Sequence, residues 1–163
     1  MAKSKPVRKK KDGPYLAAAL FCETVIEDAA DRALSAIRII DTITLVLPDT
    51  PDFPSKENRL PVRMTGLLSF KTGGSPGEHV VRVVMISPSG KKNPALEQTI
   101  TLREPEQGGA NVTLRTTIGV VKGGLFWFHV YLDGKLLTRM PLKIVLEKSG
   151  QSPAETSGAR RRP

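Results

Sequence analysis

Few residues in this chain are of a type that does chemistry: one cysteine, two histidines and some carboxylates near the first turn. Cys22 would act as a nucleophile only as a thiolate, which needs a nearby cation or base. It shares a strand parity with Leu20 and Ile26 instead, and an apolar setting raises a thiol's pKa. A core cysteine is the expected role. His79 and His129 lie 50 positions apart and form no short-spaced pair for a metal or an acid–base couple. Glu23, Glu27, Asp28 and Asp31 offer oxygens of the kind calcium takes, but Arg32 and Arg38 stand among them. Asp41 falls on the parity of Ile37, Ile39 and Ile43, where an unsatisfied carboxylate is costly. A bulge that turns Asp41 outward is expected, with a buried arginine partner as the alternative. The glycines of Lys71-Thr-Gly-Gly-Ser-Pro-Gly77 lack the following Lys-Ser/Thr and helix of a phosphate loop. The chain therefore reads as a non-enzyme, with no catalytic residue, metal ligand or cofactor assigned.

What remains is a binding surface. Leu125-Phe-Trp-Phe-His-Val-Tyr-Leu132, then Asp133-Gly134, then Lys135 to Glu147 read as two β-rich runs around a hairpin turn. Alternation puts Phe126, Phe128, Val130 and Leu132 on one face and Leu125, Trp127, His129 and Tyr131 on the other. A two-residue turn run straight through would set Phe128 opposite Arg139. A three-residue loop, Asp133-Gly134-Lys135, would set Phe128 opposite Met140 and gather the apolar residues on one face, because one residue of slip flips every side chain. The three-residue loop is expected, with Gly134 or Lys135 at a bulge. The other face then carries Trp127, His129, Tyr131 and Arg139 together. Either a second layer of chain covers these four, or they form an exposed aromatic and basic patch; they are the candidate binding residues.

The elements that must position them are strands. Residues 15–27 alternate as a first strand, and 34–47 as a second. Pairing Glu27 with Leu34 sets Cys22 beside Ile39 and Glu23 opposite Arg38 on the outside, a favourable cross-strand pair. The proline-rich segment 48–61 suits a crossover between two sheets. Further strands are expected from Val62 to Lys71, His79 to Ser87, Glu97 to Arg103 and Val112 to Val120, with Lys91-Lys-Asn-Pro94 a basic loop. His79 to Ser87 is apolar on both faces apart from Arg82, as a central strand should be. The total is about eight strands and no convincing helix. The expected fold is all-β, an antiparallel β-sandwich of immunoglobulin-like or related Greek-key type.

The net charge of +9 is unevenly placed. Residues 1–13 hold six Lys/Arg against one Asp, and 149–163 hold three Arg against one Glu, so seven of the nine charges sit in the two ends. Both ends read as disordered basic tails flanking a sandwich domain over 14–148. Nucleic-acid affinity, if present, would be sequence-nonspecific and carried by Lys9, Lys10, Lys11, Arg160, Arg161 and Arg162. The tails contain no aromatic to stack on bases. Arg63, Arg82, Arg103, Arg115 and Arg139 project from strands and would matter only if they converged on one face. The apolar run from Tyr15 to Cys22 is too short to span a bilayer and is followed at once by Glu23. A single cysteine fits a reducing compartment, and the expected location is cytoplasmic with no membrane partner.

Three stretches carry a resemblance: Ala18 to Asp28 with Leu34 to Asp41, Val80 to Gly90 ending in Pro-Ser-Gly, and Gly124 to Leu142. Together, over roughly residues 15 to 147, the chain resembles a family of small, functionally uncharacterised bacterial proteins. The resemblance implies a β-sandwich of bacterial or phage origin, cytosolic, and brings no catalytic or binding residues with it. The long basic N-terminal arm departs from the family. The reading overall is a non-catalytic interaction module whose partner is a protein. The alternatives are nucleic-acid binding through the tails and an enzyme of unrecognised type. A chain trimmed to residues 14–148 is expected to keep the thermal midpoint of the full chain; loss of cooperative unfolding on trimming would place the domain boundaries elsewhere.

Overall fold

The structure, a computed structural model, describes residues 13–50, 52–104 and 108–149. The candidate nucleic-acid residues Lys9, Lys10, Lys11, Arg160, Arg161 and Arg162 lie outside them. Nine strands follow one another: β1 (Tyr15–Glu27), β2 (Leu34–Ile39), β3 (Thr42–Leu47), β4 (Leu60–Lys71), β5 (Gly77–Ile86), β6 (Lys92–Leu102), β7 (Gly109–Val120), β8 (Gly124–Leu132) and β9 (Lys135–Lys148). Sheet I has the order β2-β1-β4-β7 and sheet II the order β3-β9-β8-β5-β6. Every pairing is antiparallel except β3 with β9. This is a two-sheet Greek-key sandwich of the immunoglobulin-like kind expected from the strand pattern.

The inner faces hold an apolar core. Leu68 and Phe70 of β4, Leu114 of β7, Val81 and Val83 of β5, Phe128 of β8 and Leu142 of β9 are fully buried. Phe21 meets Phe128 across the two sheets, edge to face, with ring centroids 4.9 Å apart. Phe21 reaches the core because β1 carries a bulge between Leu16 and Ala18. Simple alternation from Cys22 would set Phe21 on the outer face with Glu23. The bulge breaks the simple alternation, so Leu16 and Phe21, at opposite parities, both pack inward. Ile26, Ile37 and Ile39, on the parity of Cys22, are left exposed.

The β1–β2 register is the expected one: Glu27 pairs with Leu34, Cys22 with Ile39, and Arg38 Nη1 lies 3.0 Å from Glu23 Oε2. The expected second strand is two strands. It breaks at Ile40 and Asp41, where the chain leaves sheet I and crosses to sheet II as β3. Arg38, at φ 52°, precedes the break. Asp41 is exposed, and its carbonyl accepts a hydrogen bond from Lys143 N at 3.0 Å on β9. A change of sheet, rather than a bulge, resolves the buried-carboxylate conflict. The basic segment Lys92 to Pro94 is the start of β6, not a loop.

The central hairpin combines both turn alternatives. Phe128 does face Met140, as the apolar pattern demands. Yet the turn has two residues, with Leu132 opposite Lys135 and positive φ at both Asp133 (48°) and Gly134 (79°). These are the dihedrals of a type I′ turn, whose twist matches paired strands. The extra residue sits further along: Tyr131 pairs with Leu136 and Val130 with Thr138, so Leu137 is the bulge. The expected bulge at Gly134 or Lys135 is corrected by two or three positions.

Phe128 touches both Phe21 across the sandwich and Met140 on the next strand. Phe128→Ala is expected to cost about 3–5 kcal/mol of unfolding free energy, measured by urea denaturation with an unchanged slope.

Candidate functional site

The outer face of sheet II brings the four candidate binding residues together. On β8, Leu125, Trp127, His129 and Tyr131 point away from the core, and neighbouring strands extend each position sideways. Trp127 stands between Pro141 of β9 and Ile86 of β5. His129 stands between Arg139 and Val84, and Tyr131 between Leu136 and Arg82. The next strand adds Lys92 beside Ile86 and Pro94 beside Val84. The result is a flat apolar and aromatic centre edged by Arg139, Lys143 and Lys92. Arg82 is held by Glu97, Nε to Oε2 at 2.7 Å. Trp127 is 37% exposed and His129 and Tyr131 are half-buried.

Within this face the Tyr131 hydroxyl lies 3.5 Å from His129 Nδ1, with the rings tilted and centroids 6.3 Å apart. His129 has its pKa held below the usual imidazole value. Burial is the main cause, and the positive charges of Arg139 and Lys92 add to it. The ring is therefore neutral at pH 7; Nδ1 is shared with the Tyr131 hydroxyl and Nε2 is left for a partner.

The residues of chemical type elsewhere are taken up by the fold. His79 Nδ1 lies 2.7 Å from Asp133 Oδ2, and its Nε2 3.3 Å from the Ser75 carbonyl. Asp133 Oδ1 accepts the Val80 N–H at 2.8 Å. This histidine–carboxylate pair ties the β8–β9 turn to β5; Nε2 meets a carbonyl oxygen, not a nucleophile. The hydrogen bond from His79, helped by the Val80 N–H, holds the Asp133 carboxyl below its ordinary pKa. His79 shares the inward parity of Val81, while His129 lies on the outward face of β8, so the two histidines do not meet. Cys22 is 1% exposed, and burial pushes its thiol pKa up.

The acids of the first turn are likewise engaged. Glu27 pairs with Arg32, and Glu23 with Arg38. The carboxylates of Asp28 and Asp31 accept the Ala30 and Ala33 N–H groups. Among the described residues no three His, Cys, Asp or Glu side chains are grouped to hold a metal ion. The arginines expected to project from strands split between the sheets, Arg63 and Arg115 on sheet I and Arg82 and Arg139 on sheet II, while Arg103 lies just past the end of β6. They do not converge on one face.

Two of the cavities among the described residues are mainly apolar in lining, and neither was seen in the sequence. One, of about 850 Å³, opens where β1 leaves β4 after Cys22 and is lined by Phe21, Met64 and Leu142 with Glu23, Arg38, Arg63 and Arg115. The other, of about 470 Å³, lies among loops at one end of the sandwich. Both are made by segments distant in sequence, and no local motif signals them.

Residues 17–145 match a family described as a family of unknown function, DUF6941. The chain belongs to that family. No curated protein sequence matches it. Among solved structures, a Pseudomonas fluorescens alkylpurine DNA glycosylase, bound to DNA containing an abasic site analog, is similar at 11% identity and a TM-score of 0.45. That likeness covers 82% of this chain and 30% of the glycosylase. A β-glucosidase from Listeria innocua, in complex with glucose, is similar at 10% identity over 67% of this chain and 15% of its own, with a TM-score of 0.43. The chain thus spans less than a third of either enzyme. An immunoglobulin-like protein from Pseudomonas aeruginosa is similar at 9% identity over 83% of this chain and 99% of its own, with a TM-score of 0.35. These likenesses carry no functional argument.

The lowered pKa of His129 has a sign. Its folded value lies below 6.5, so the stability it contributes is fully present above pH 6.5 and is lost as pH falls through the folded value. An NMR titration of the His129 ring is expected to give a midpoint below that of a free imidazole, and Arg139→Gln is expected to move it upward.

Proposed function

We propose that this member of the family is a non-catalytic interaction module that docks a protein on the outer face of sheet II. The observation that supports this most is the exposed row of Leu125 and Trp127, continued by His129 and Tyr131 and flanked by Ile86, Val84 and Pro141. Aromatic side chains beside arginine are what protein interfaces use as anchors. The edge charges Arg139, Lys143 and Lys92, which pair with no carboxylate among the described residues, are positive, so the fitting partner presents an apolar patch with an acidic border. Neutral His129 and the Tyr131 hydroxyl supply directional hydrogen bonds within the patch. The module works in the cytoplasm of a bacterium or of cells infected by a phage, a reading supported by the one buried thiol, which suits a reducing compartment.

A second reading is favoured by the placement of charge. Seven of the nine net positive charges lie in the two ends, and such ends bind nucleic acid without sequence preference and with strong salt dependence. On this reading the sandwich carries two basic arms.

Affinity capture from lysate with the full chain, at low and high salt, separates the two. Trp127→Ala and Tyr131→Ala are each expected to weaken a salt-resistant protein partner by about 30-fold, the loss of one interface anchor of about 2 kcal/mol. The thermal midpoint should change little. A collapse of the midpoint would make these residues core and end the docking reading. Retention of nucleic acid alone, lost at high salt, would favour the basic arms.

A further inference from the structure

We propose that the cavity at one end of the sandwich binds an organic phosphate of nucleotide type. Three connections meet there: the β3–β4 crossover with Lys56 and Arg59, the β5–β6 turn with Ser87 to Lys91, and the β7–β8 turn with Val121 and Lys122. The site is distinct from the docking face, because Phe126 lines it from the inner side of β8 while Trp127 points outward.

The charge of the lining is one-sided. Every ionisable residue on it is a cation: Lys56, Arg59, Lys91 and Lys122. None of the four pairs with a carboxylate among the described residues. Glu57, next to Lys56 in the chain, does not line the cavity; its carboxylate faces the Ser55 hydroxyl at 3.1 Å. Like charges around one concave surface repel one another and raise the local potential, which an anion relieves. Arginine with lysine is the pairing that recognises phosphate, one by a planar fork of donors and the other as a point charge.

The walls are held by backbone that leaves room for them. A Cβ on Gly119 would stand 2.9 Å from Arg59 Cδ and 3.1 Å from Arg59 Cβ, so the arginine stem lies across β7 at Gly119 and a larger residue there would push it aside. Arg59 Nε donates to the Lys56 carbonyl at 3.2 Å, and its two terminal nitrogens make no hydrogen bond among the described residues. On the other side, a Cβ on Gly124 would stand 2.9 Å from Pro88 Cγ, and φ there is +149°. The β5–β6 turn is set by Ser87 Oγ, which lies 2.9 Å from Ser89 Oγ and accepts the Lys91 N–H at 3.2 Å.

The ligand must be larger than a bare anion. The volume of about 470 Å³ falls in the range of small-molecule sites. Its lining includes the apolar side chains of Met85, Phe126 and Pro88, a bed for a planar ring. Ser87, Ser89 and Asn93 offer hydroxyl and amide groups for the polar edge of a sugar or base. A multiply charged phosphoryl head among four cations, with an aromatic body on the apolar floor, satisfies both halves.

The test titrates the full chain with ADP, and separately with inorganic phosphate, by calorimetry and backbone-amide NMR. ADP is expected to bind saturably, at least 10-fold tighter than inorganic phosphate, and to shift the amides of Ser87 to Lys91 and Gly119 to Lys122. Arg59→Gln, and Lys91→Gln combined with Lys122→Gln, are each expected to weaken it at least 10-fold. Gly119→Val should do the same by displacing the Arg59 stem without removing a charge. If that variant fails to fold, the exposed lysine pair still decides. Both basic ends are intact in every variant, so ADP affinity unchanged by these substitutions would assign the binding to the ends and overturn the proposal. So would the absence of shifts around the cavity, or an oligonucleotide that shifts these amides where ADP does not.

Discussion

The contact between Phe128 and Met140 across the central hairpin is the constraint on which the rest of the sandwich depends. It decides which face of β8 and β9 enters the core, and a slip of one residue would exchange Met140 for Arg139. Two local demands compete for that register. Asp133-Gly134 forms the tight, well-twisted turn, but a straight run from it would carry the charge inward. The bulge at Leu137 absorbs the difference, so the turn and the packing are both satisfied. The same ring of Phe128 then receives Phe21 from the opposite sheet, which ties β1 to the core.

A bulge also explains how β1 can be apolar at both parities. The shift between Leu16 and Ala18 brings Leu16 and Phe21 to the same side of the sheet. After Cys22 β1 leaves β4 and pairs only with β2, and the chain then crosses to the other sheet at Ile40 and Asp41. That crossing supplies β3 as a parallel partner for β9, exposes Asp41 and opens the larger cavity. One change of sheet thus accounts for a carboxylate that looked misplaced, a parallel pairing in an otherwise antiparallel protein, and a notch between β1 and β4.

Apart from His129, the chemistry-bearing groups described above are used to hold the fold. His79 and Asp133 fasten the hairpin turn to β5, the acids near the first turn cap it or pair with arginines, and Cys22 is sealed. Two of the surfaces left open among the described residues differ in kind. One is flat, aromatic and edged by cations, on the outer face of sheet II. The other is concave, cationic and floored by apolar side chains, at the loop end. Flat apolar surface suits a folded partner, and a concave cationic one suits a small anion.

Strand existence, the β1–β2 register, the crossover after β3 and the shared face of Trp127, His129, Tyr131 and Arg139 were all legible in the sequence. Each rests on period-two alternation and turn chemistry, which act over neighbouring residues. The bulge positions, the break at Asp41 and the inward turn of Phe21 were not legible. They are decided by which distant side chain fills the space: Met140 for Phe128, Phe128 for Phe21, the Lys143 N–H for the Asp41 carbonyl. Of the expected loop Lys91 to Pro94, residues Lys92 to Pro94 became strand because β5 offered them a free edge. The cavities lay furthest from reach. Lys56, Arg59, Lys91 and Lys122 come from three connections and share no spacing, and only the closure of the sandwich brings them to one end.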